Sequence, residues 1–339
     1  MMIAPATVRQ VVADVAGIAS TRDSPAQRAE ALLAPLRRIT PFDAALIALF
    51  DPERRRQVPL LRHGYGDKVR QFLTGEPLTG DVDRVGLQRP GRPLRGSDMP
   101  VPLDTLPTWS QCLSPAGYRE TVGVALCTPD GRYLGLLGTH SESRRPASNA
   151  ACALLHRLTP LIAHAVDPLR TITAVTDIVT DAVAAVVTTR AGNTMPLPGL
   201  PDHRLLAPAS PVLTAVDAQL ADGAVHAAFL CPTDDTQMLR VTALACPPLP
   251  PGHLRKIVLL SPPPPLHGLT RRELEVLGLL AEGWPSARIA ATLAITVRTV
   301  SSHLEHILAK LAATSRTVAA VQALRQGVYI PRQLVPPRV

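Results

Sequence analysis

With 339 residues, 46% of them hydrophobic, the chain is long enough for two or three packed domains and too apolar to remain disordered. Its formal charge of +8 admits a polyanionic partner without demanding one, since arginine supplies nearly all the excess and Lys68, Lys256 and Lys310 are the only lysines. Cys112, Cys127, Cys152, Cys231 and Cys246 are odd in number and hold no C-x-x-C pair, which speaks against a disulfide framework and a structural zinc site.

The start, MMIAPATVRQVVADVAGIAS, lacks a basic leader region and carries Arg9 and Asp14 within its apolar part. Nowhere else does an uncharged apolar run reach membrane-spanning length, so a cytoplasmic protein with no membrane partner is expected. Ser24 before Pro25 marks a helix start, and Leu32, Leu33, Leu36 and Ile39 carry that helix to about Ile39. ALIALF (45–50), the turn-like DPERRR and VPLLRHG predict a hairpin. ETVGVALCTPDGRYLGLLGTHS predicts two strands around the tight-turn dipeptide Asp130-Gly131, and a long helix follows from about Ser148 to Val166, with a kink expected at Pro160.

Between them, residues 79–109 are dense in Gly, Pro and Arg and read as too irregular for a packed element. Three readings stay open: a lid over a ligand site, a basic arm using Arg84, Arg89, Arg92 and Arg95, or a solvated loop. After Pro168 a second α+β unit is predicted. It has a helix near Ile172–Thr180, strands at AVAAVVTT and NTMPLP, a helix from Pro211 to about Ala221, and strands AVHAAFL, MLRVTALAC and KIVLLS. Four consecutive prolines in Ser261–Gly268 predict an extended spacer and a domain boundary.

From Leu269 the pattern is helical. Thr270 and Glu273 form a capping box, Pro285 opens a short second helix, Thr296 caps a third and Ser315 a fourth. Val300, Leu304, Ile307, Leu308 and Leu311 give the third helix an apolar stripe; Arg298, Ser301, Ser302, Glu305, His306 and Ala309 make the opposite face short and polar. Such spacing suits a helix-turn-helix DNA-binding domain, and the polar face is either solvated surface or a face that enters a groove.

These residues resemble the LuxR/GerE-type helix-turn-helix domain of bacterial transcriptional regulators. The likeness lies in LTRRELEVLGLLAEG (269–283), Ile289-Ala290 with Leu293, Ile295-Thr296, Thr299-Val300, His303-Leu304, Ile307, Lys310-Leu311 and Ser315-Arg316. It implies that the third helix enters the major groove and the fourth pairs two protomers. Ser301, Ser302, Glu305 and Arg298 are then the expected base readers; Thr299, His303, His306 and Lys310 the expected backbone contacts; Val318, Val321 and Leu324 the expected dimer strip. Three positions depart from the family: it often has basic residues where Ser301 and Glu305 stand, and usually Glu where Arg288 stands.

Residues 24–166 resemble a GAF-type sensory fold, and the following unit a PAS-type fold. The expected fold class is therefore multidomain: α+β sensory domains, GAF-like then PAS-like, followed by an all-α four-helix helix-turn-helix domain. The expected boundaries are 1–168, 169–260, a proline-rich linker at 261–268, the DNA-binding domain at 269–330 and a tail at 331–339. No phosphoacceptor pattern, P-loop, G-x-S-x-G or metal spacing is present, and His156 and His164 lie eight residues apart on one helix. Neither catalysis nor a cofactor is expected. The expected function is a dimeric DNA-binding regulator modulated by a signal, with double-stranded DNA, a second copy, RNA polymerase and a small-molecule effector as partners. The alternative is a protein-interaction module whose helix-turn-helix has lost most of its DNA affinity.

Overall fold

The computed structural model describes residues 4–170, 181–221, 223–233 and 237–335. The chain divides into two compact units, Met1–Thr171 with Leu249–His253, and Ile172–Pro248 with Leu254–Val339.

The first unit is built on an antiparallel sheet of β1 (Ala44–Asp51), β2 (Arg56–His63), β3 (Leu94–Arg95), β4 (Glu120–Cys127) and β5 (Tyr133–Ser141), in the order β2-β1-β5-β4-β3. Ala45, Ile47 and Leu49 of β1 enter the core shared with α1 (Pro5–Ser20), α2 (Pro25–Arg37) and α5 (Asn149–Val166). Ala44, Leu46 and Ala48 enter the core on the opposite face. Burial on both faces is why this strand reads as an unbroken apolar run rather than an alternation. Ser24 and Gln27 cap α2 reciprocally, and Ser148 caps α5, which stays helical through Pro160 to Val166.

The opposite face of the sheet carries α3 (Asp67–Phe72) and α4 (Glu76–Val85). Here the structure corrects the sequence reading of 79–109 as devoid of packed elements: its first seven residues complete α4. Leu78, Val82 and Val85 form a buried stripe at helical spacing, which Gly80 and the charges around it disguise. Asp81, though an acid, is buried because its carboxylate accepts from the Thr108 amide at 2.7 Å. Two of its four arginines are tied down: Arg84 donates to the Thr105 carbonyl, and Arg95 pairs with Asp98 and donates to Asn149, while Arg89 and Arg92 are exposed. The segment roofs a cavity of about 80 Å³, with Leu46, Thr121, Leu136 and His140 on the sheet and Thr108, Trp109 and Leu103 above them. Burial lowers the His140 imidazole to about 4, so it is neutral at neutral pH while bonded to the Tyr65 hydroxyl at 2.6 Å. Of the other aromatics, Tyr118 packs against Tyr65 and His140, and Tyr133 against Phe50.

The second unit holds another antiparallel sheet: β6 (Ala184–Thr189), β7 (Thr194–Pro196), β8 (His226–Pro232), β9 (Met238–Ala245) and β10 (Leu254–Ser261), ordered β7-β6-β10-β9-β8. The helix α6 (Pro211–Gln219) packs Val212, Leu213 and Val216 into the same core as Val186, Phe229 and Val258. The helix expected near Ile172–Thr180 lies outside the described residues. Four helices follow: α7 (Arg271–Ala281), α8 (Ser286–Leu293), α9 (Val297–Lys310) and α10 (Arg316–Gln326).

Residues 262–265 have no regular structure, but they do not hold the helices away from the sheet. The chain beyond α10 returns: the Leu230 amide of β8 donates to the Tyr329 carbonyl at 2.8 Å, and the Ile330 amide donates to Leu274 of α7 at 3.2 Å. Gly278 makes this approach feasible, since a Cβ there would lie 1.9 Å from the Ile330 carbonyl oxygen. Gly327, at φ +67 and with Ala228 against it, turns the chain toward the sheet. One apolar core consequently runs through sheet and helices.

Candidate nucleic-acid interface

The turn between α8 and α9 is three residues long. Ala294 ends α8 in the left-handed region at φ +51, and Thr296 caps α9 by accepting from the Thr299 amide. Pro285 stands at the cap position of α8 rather than at its first helical residue. Beneath the turn, Ile289, Ala290, Leu293, Val300 and Ile307 are buried. Leu304, Leu308 and Leu311 are half-buried and packed against the same core.

That anchoring fixes which side of α9 faces outward. Arg298, Ser301, Ser302, Glu305 and His306 are exposed, while Thr299 and His303 are half-buried at the edges of the face. The structure therefore gathers Arg298, Ser301, Ser302 and Glu305 on one open surface. Ser301 donates to the Val297 carbonyl at 3.2 Å and Thr299 shares a hydroxyl bond with Thr296, so each oxygen retains capacity to accept a further hydrogen bond. Residues 261–339 contain nine Arg and Lys against four Glu, a local excess that suits a polyanion.

Lys310 departs from the expected backbone contact. Its ammonium is bonded to both carboxylate oxygens of Glu273, at 2.9 and 2.7 Å, and thereby ties the end of α9 to the start of α7. Burial raises the Glu273 carboxyl, but the bonds from Lys310 and Thr270 outweigh it and hold the group below its ordinary value. His306 stands 3.9 Å from the same carboxylate with its ring largely exposed. A second buried acid, Glu275, pairs with Arg271 and Arg272, and Arg272 also donates to the Leu293 carbonyl at the end of α8. Sequence reasoning used Glu273 only as a capping residue and missed its role as the hub. The signal was the pairing of an acid in the first turn of one helix with a lysine at the end of another.

Arg288, where the family usually has Glu, lies 3.7 Å above the centre of the Trp284 ring, and Arg332 approaches the same ring at 5.6 Å. The departure is thus accommodated by stacking. On α10, Val318, Val321 and Leu324 are 38%, 43% and 46% exposed, whereas Ala319 and Ala323 are buried against the module. The helix shows one face to its own core and leaves a separate apolar strip uncovered. His156 bonds to the Gly91 carbonyl, and among the described residues no group of His, Cys, Asp and Glu could hold a metal ion. Among the same residues no helix is long and apolar enough to cross a membrane.

Comparison with known proteins bears on both units. Residues 267–323 match the family of bacterial regulatory proteins of the luxR type, and residues 24–166 match the GAF domain. The chain therefore carries a GAF domain and, after it, a helical LuxR-family regulatory domain. It is 49% identical over 61 residues to the transcriptional regulatory protein LiaR of Bacillus subtilis, covering 18% of this chain and 29% of that protein. It is 43% identical over 63 residues to DegU of Brevibacillus brevis, covering 19% and 27%. The match thus spans less than a third of the length of these relatives. A structure of the Vibrio cholerae VqmA dimer, described among LuxR-type receptors, aligns over 50% of this chain and 94% of its own at 17% identity and a TM-score of 0.27. A likeness that weak supports no argument about mechanism.

Proposed function

We propose that the protein is a sequence-specific DNA-binding transcriptional regulator that acts as a dimer and responds to a signal in its N-terminal sensory region. The observation that carries this reading is the outward face of α9. In a domain of the luxR regulatory type, the helix following the turn exposes Arg298, Ser301, Ser302 and Glu305 while Val300 and Ile307 anchor it. An α-helix so presented fits the major groove, where serine bonds to several bases and a carboxylate accepts from cytosine N4. Arg298, Ser301, Ser302 and Glu305 read bases in this proposal, and Thr299, His303 and His306 contact the backbone. Lys310 positions α9 through Glu273.

The strip of Val318, Val321 and Leu324 pairs two copies, so the operator has two half-sites about one helical turn apart. The GAF domain and a PAS-like unit at 169–260 form the sensory region, and a small-molecule effector and RNA polymerase complete the partners. The test is selection of bound duplexes from random DNA by the full-length protein at stated salt. A palindromic motif is expected. Recovery of no motif from the full chain, at low as well as at physiological salt, would overturn the reading.

One observation favours a protein-interaction module instead: the reading face carries Glu305 and only one arginine, so its phosphate attraction is modest. Affinity that does not fall as salt rises would favour that second reading.

A further inference from the structure

The second sheet, α6 and the turn after β6 border an open-mouthed cavity of about 480 Å³, within the range of small-molecule sites. It belongs to the segment between the two matched domains. Thr188 and Lys256 face each other across the β6–β10 ladder. α6 contributes Thr214 and Asp217, and Arg255 stands at the rim.

The polar groups here are incompletely satisfied. Lys256 is 4% exposed, and its ammonium bonds to Asp217, whose own side chain is 58% exposed. That bond uses one of three ammonium protons. The hydroxyls of Thr188 and Thr189, in residues 3% and 5% exposed, have no hydrogen-bond partner. Buried polar groups are paired as a rule, with protein, ordered water or ligand. Three cations, Arg190, Arg255 and Lys256, line the cavity with one largely solvated carboxylate, and the buried Thr188 hydroxyl lies beside Lys256; this lining suits a small anion rather than an apolar effector. We infer that this cavity binds a small hydroxylated carboxylate, its anionic end on Lys256 and Arg255 and its hydroxyls on Thr188.

The site also has a physical path to the DNA-binding module. Gln219, two residues beyond Asp217 on α6, accepts from the Tyr329 hydroxyl at 3.1 Å, and Tyr329 lies in the segment bonded to β8 and followed by the bond to α7. An anion that draws Lys256 away from Asp217 therefore perturbs the helix holding that segment. This relay, unlike the binding itself, rests on the DNA-binding reading.

The test is calorimetric titration of the full-length protein with acetate, glycolate and D-gluconate, and with glycerol and ethylammonium as uncharged and cationic counterparts. Saturable binding is expected for glycolate or gluconate and not for glycerol or ethylammonium. Lys256→Met should abolish it, and Thr188→Val, which preserves shape, should weaken it roughly tenfold without lowering Tm. Failure of every carboxylate to bind, preference for ethylammonium, or unaltered affinity in Thr188→Val would each overturn the site. Carboxylate binding that leaves affinity for the selected duplex unchanged would remove only the relay.

Discussion

Glu305 and Lys310 lie on the same helix and are separated by what each side chain touches. Glu305 is exposed on the outward face, where a carboxylate is repelled by phosphate and gains only by accepting from a base. Glu305→Ala should therefore relax preference at one cytosine by about 1 to 3 kcal/mol while non-specific affinity holds or rises. Base selection with the variant checks this, and an unchanged motif would remove Glu305 from the readers. Lys310 instead neutralises Glu273, whose side chain is 3% exposed. Lys310→Met should cost about 2 kcal/mol at pH 7, less than a fully buried pair because the ammonium is partly solvated. The folded carboxyl of Glu273 is held below its unfolded value. Its stabilisation is thus complete above the unfolded pKa and fades as pH falls through the folded one. The gap between wild type and Lys310→Met should accordingly narrow on acidification, as denaturant unfolding at neutral and acid pH would reveal; a gap of a few tenths at pH 7 would contradict the hub.

At the scale of elements, α10 is the informative case because its two faces differ. Ala319 and Ala323 hold it to its module, and Val321, at 43% exposure, makes no comparable contact. Val321→Asp should leave the helix folded yet place two carboxylates in the proposed dimer contact, weakening association at least a hundredfold, or about 3 kcal/mol. Sedimentation would show monomers where the parent protein dimerises, and a variant that stays dimeric would move the interface elsewhere. Local chemistry made most elements legible: Ser24, Ser148, Thr270, Thr296 and Ser315 each accept the cap bond that their position implies. The helix α1 is equally legible in the helical spacing of its buried Val11, Val15 and Ala19. By contrast α4 was hidden by an acid whose burial depends on Thr108, 27 residues away. The same limit applies to the DNA face, where residue types and spacing gave the outward side but not the carboxylate that claims Lys310.

For the whole molecule, the decisive segment is 328–330, whose residues are at most 3% exposed. Its Tyr329 carbonyl accepts from the sheet through Leu230, and the next amide, Ile330, donates to α7 through Leu274. A single peptide group thus bonds to two layers, and Phe229 packs beside Tyr329 with ring centres 6.5 Å apart. The proline spacer suggested a tethered, independently folding module; the shared segment implies that the second sheet and the DNA-binding helices unfold together. Phe229 is fully buried, so Phe229→Ala should destabilise the sheet by about 3 to 5 kcal/mol. If the unit is cooperative, hydrogen exchange of the α7 amides of Val276, Leu277 and Leu279 should accelerate by the same free energy, although none of them is in the sheet. If the helices fold on their own, those amides should keep their protection while β8 and β9 lose theirs. The first outcome would make the sheet part of the structural support of the reading helix; the second would return the proline segment to the role of a simple tether.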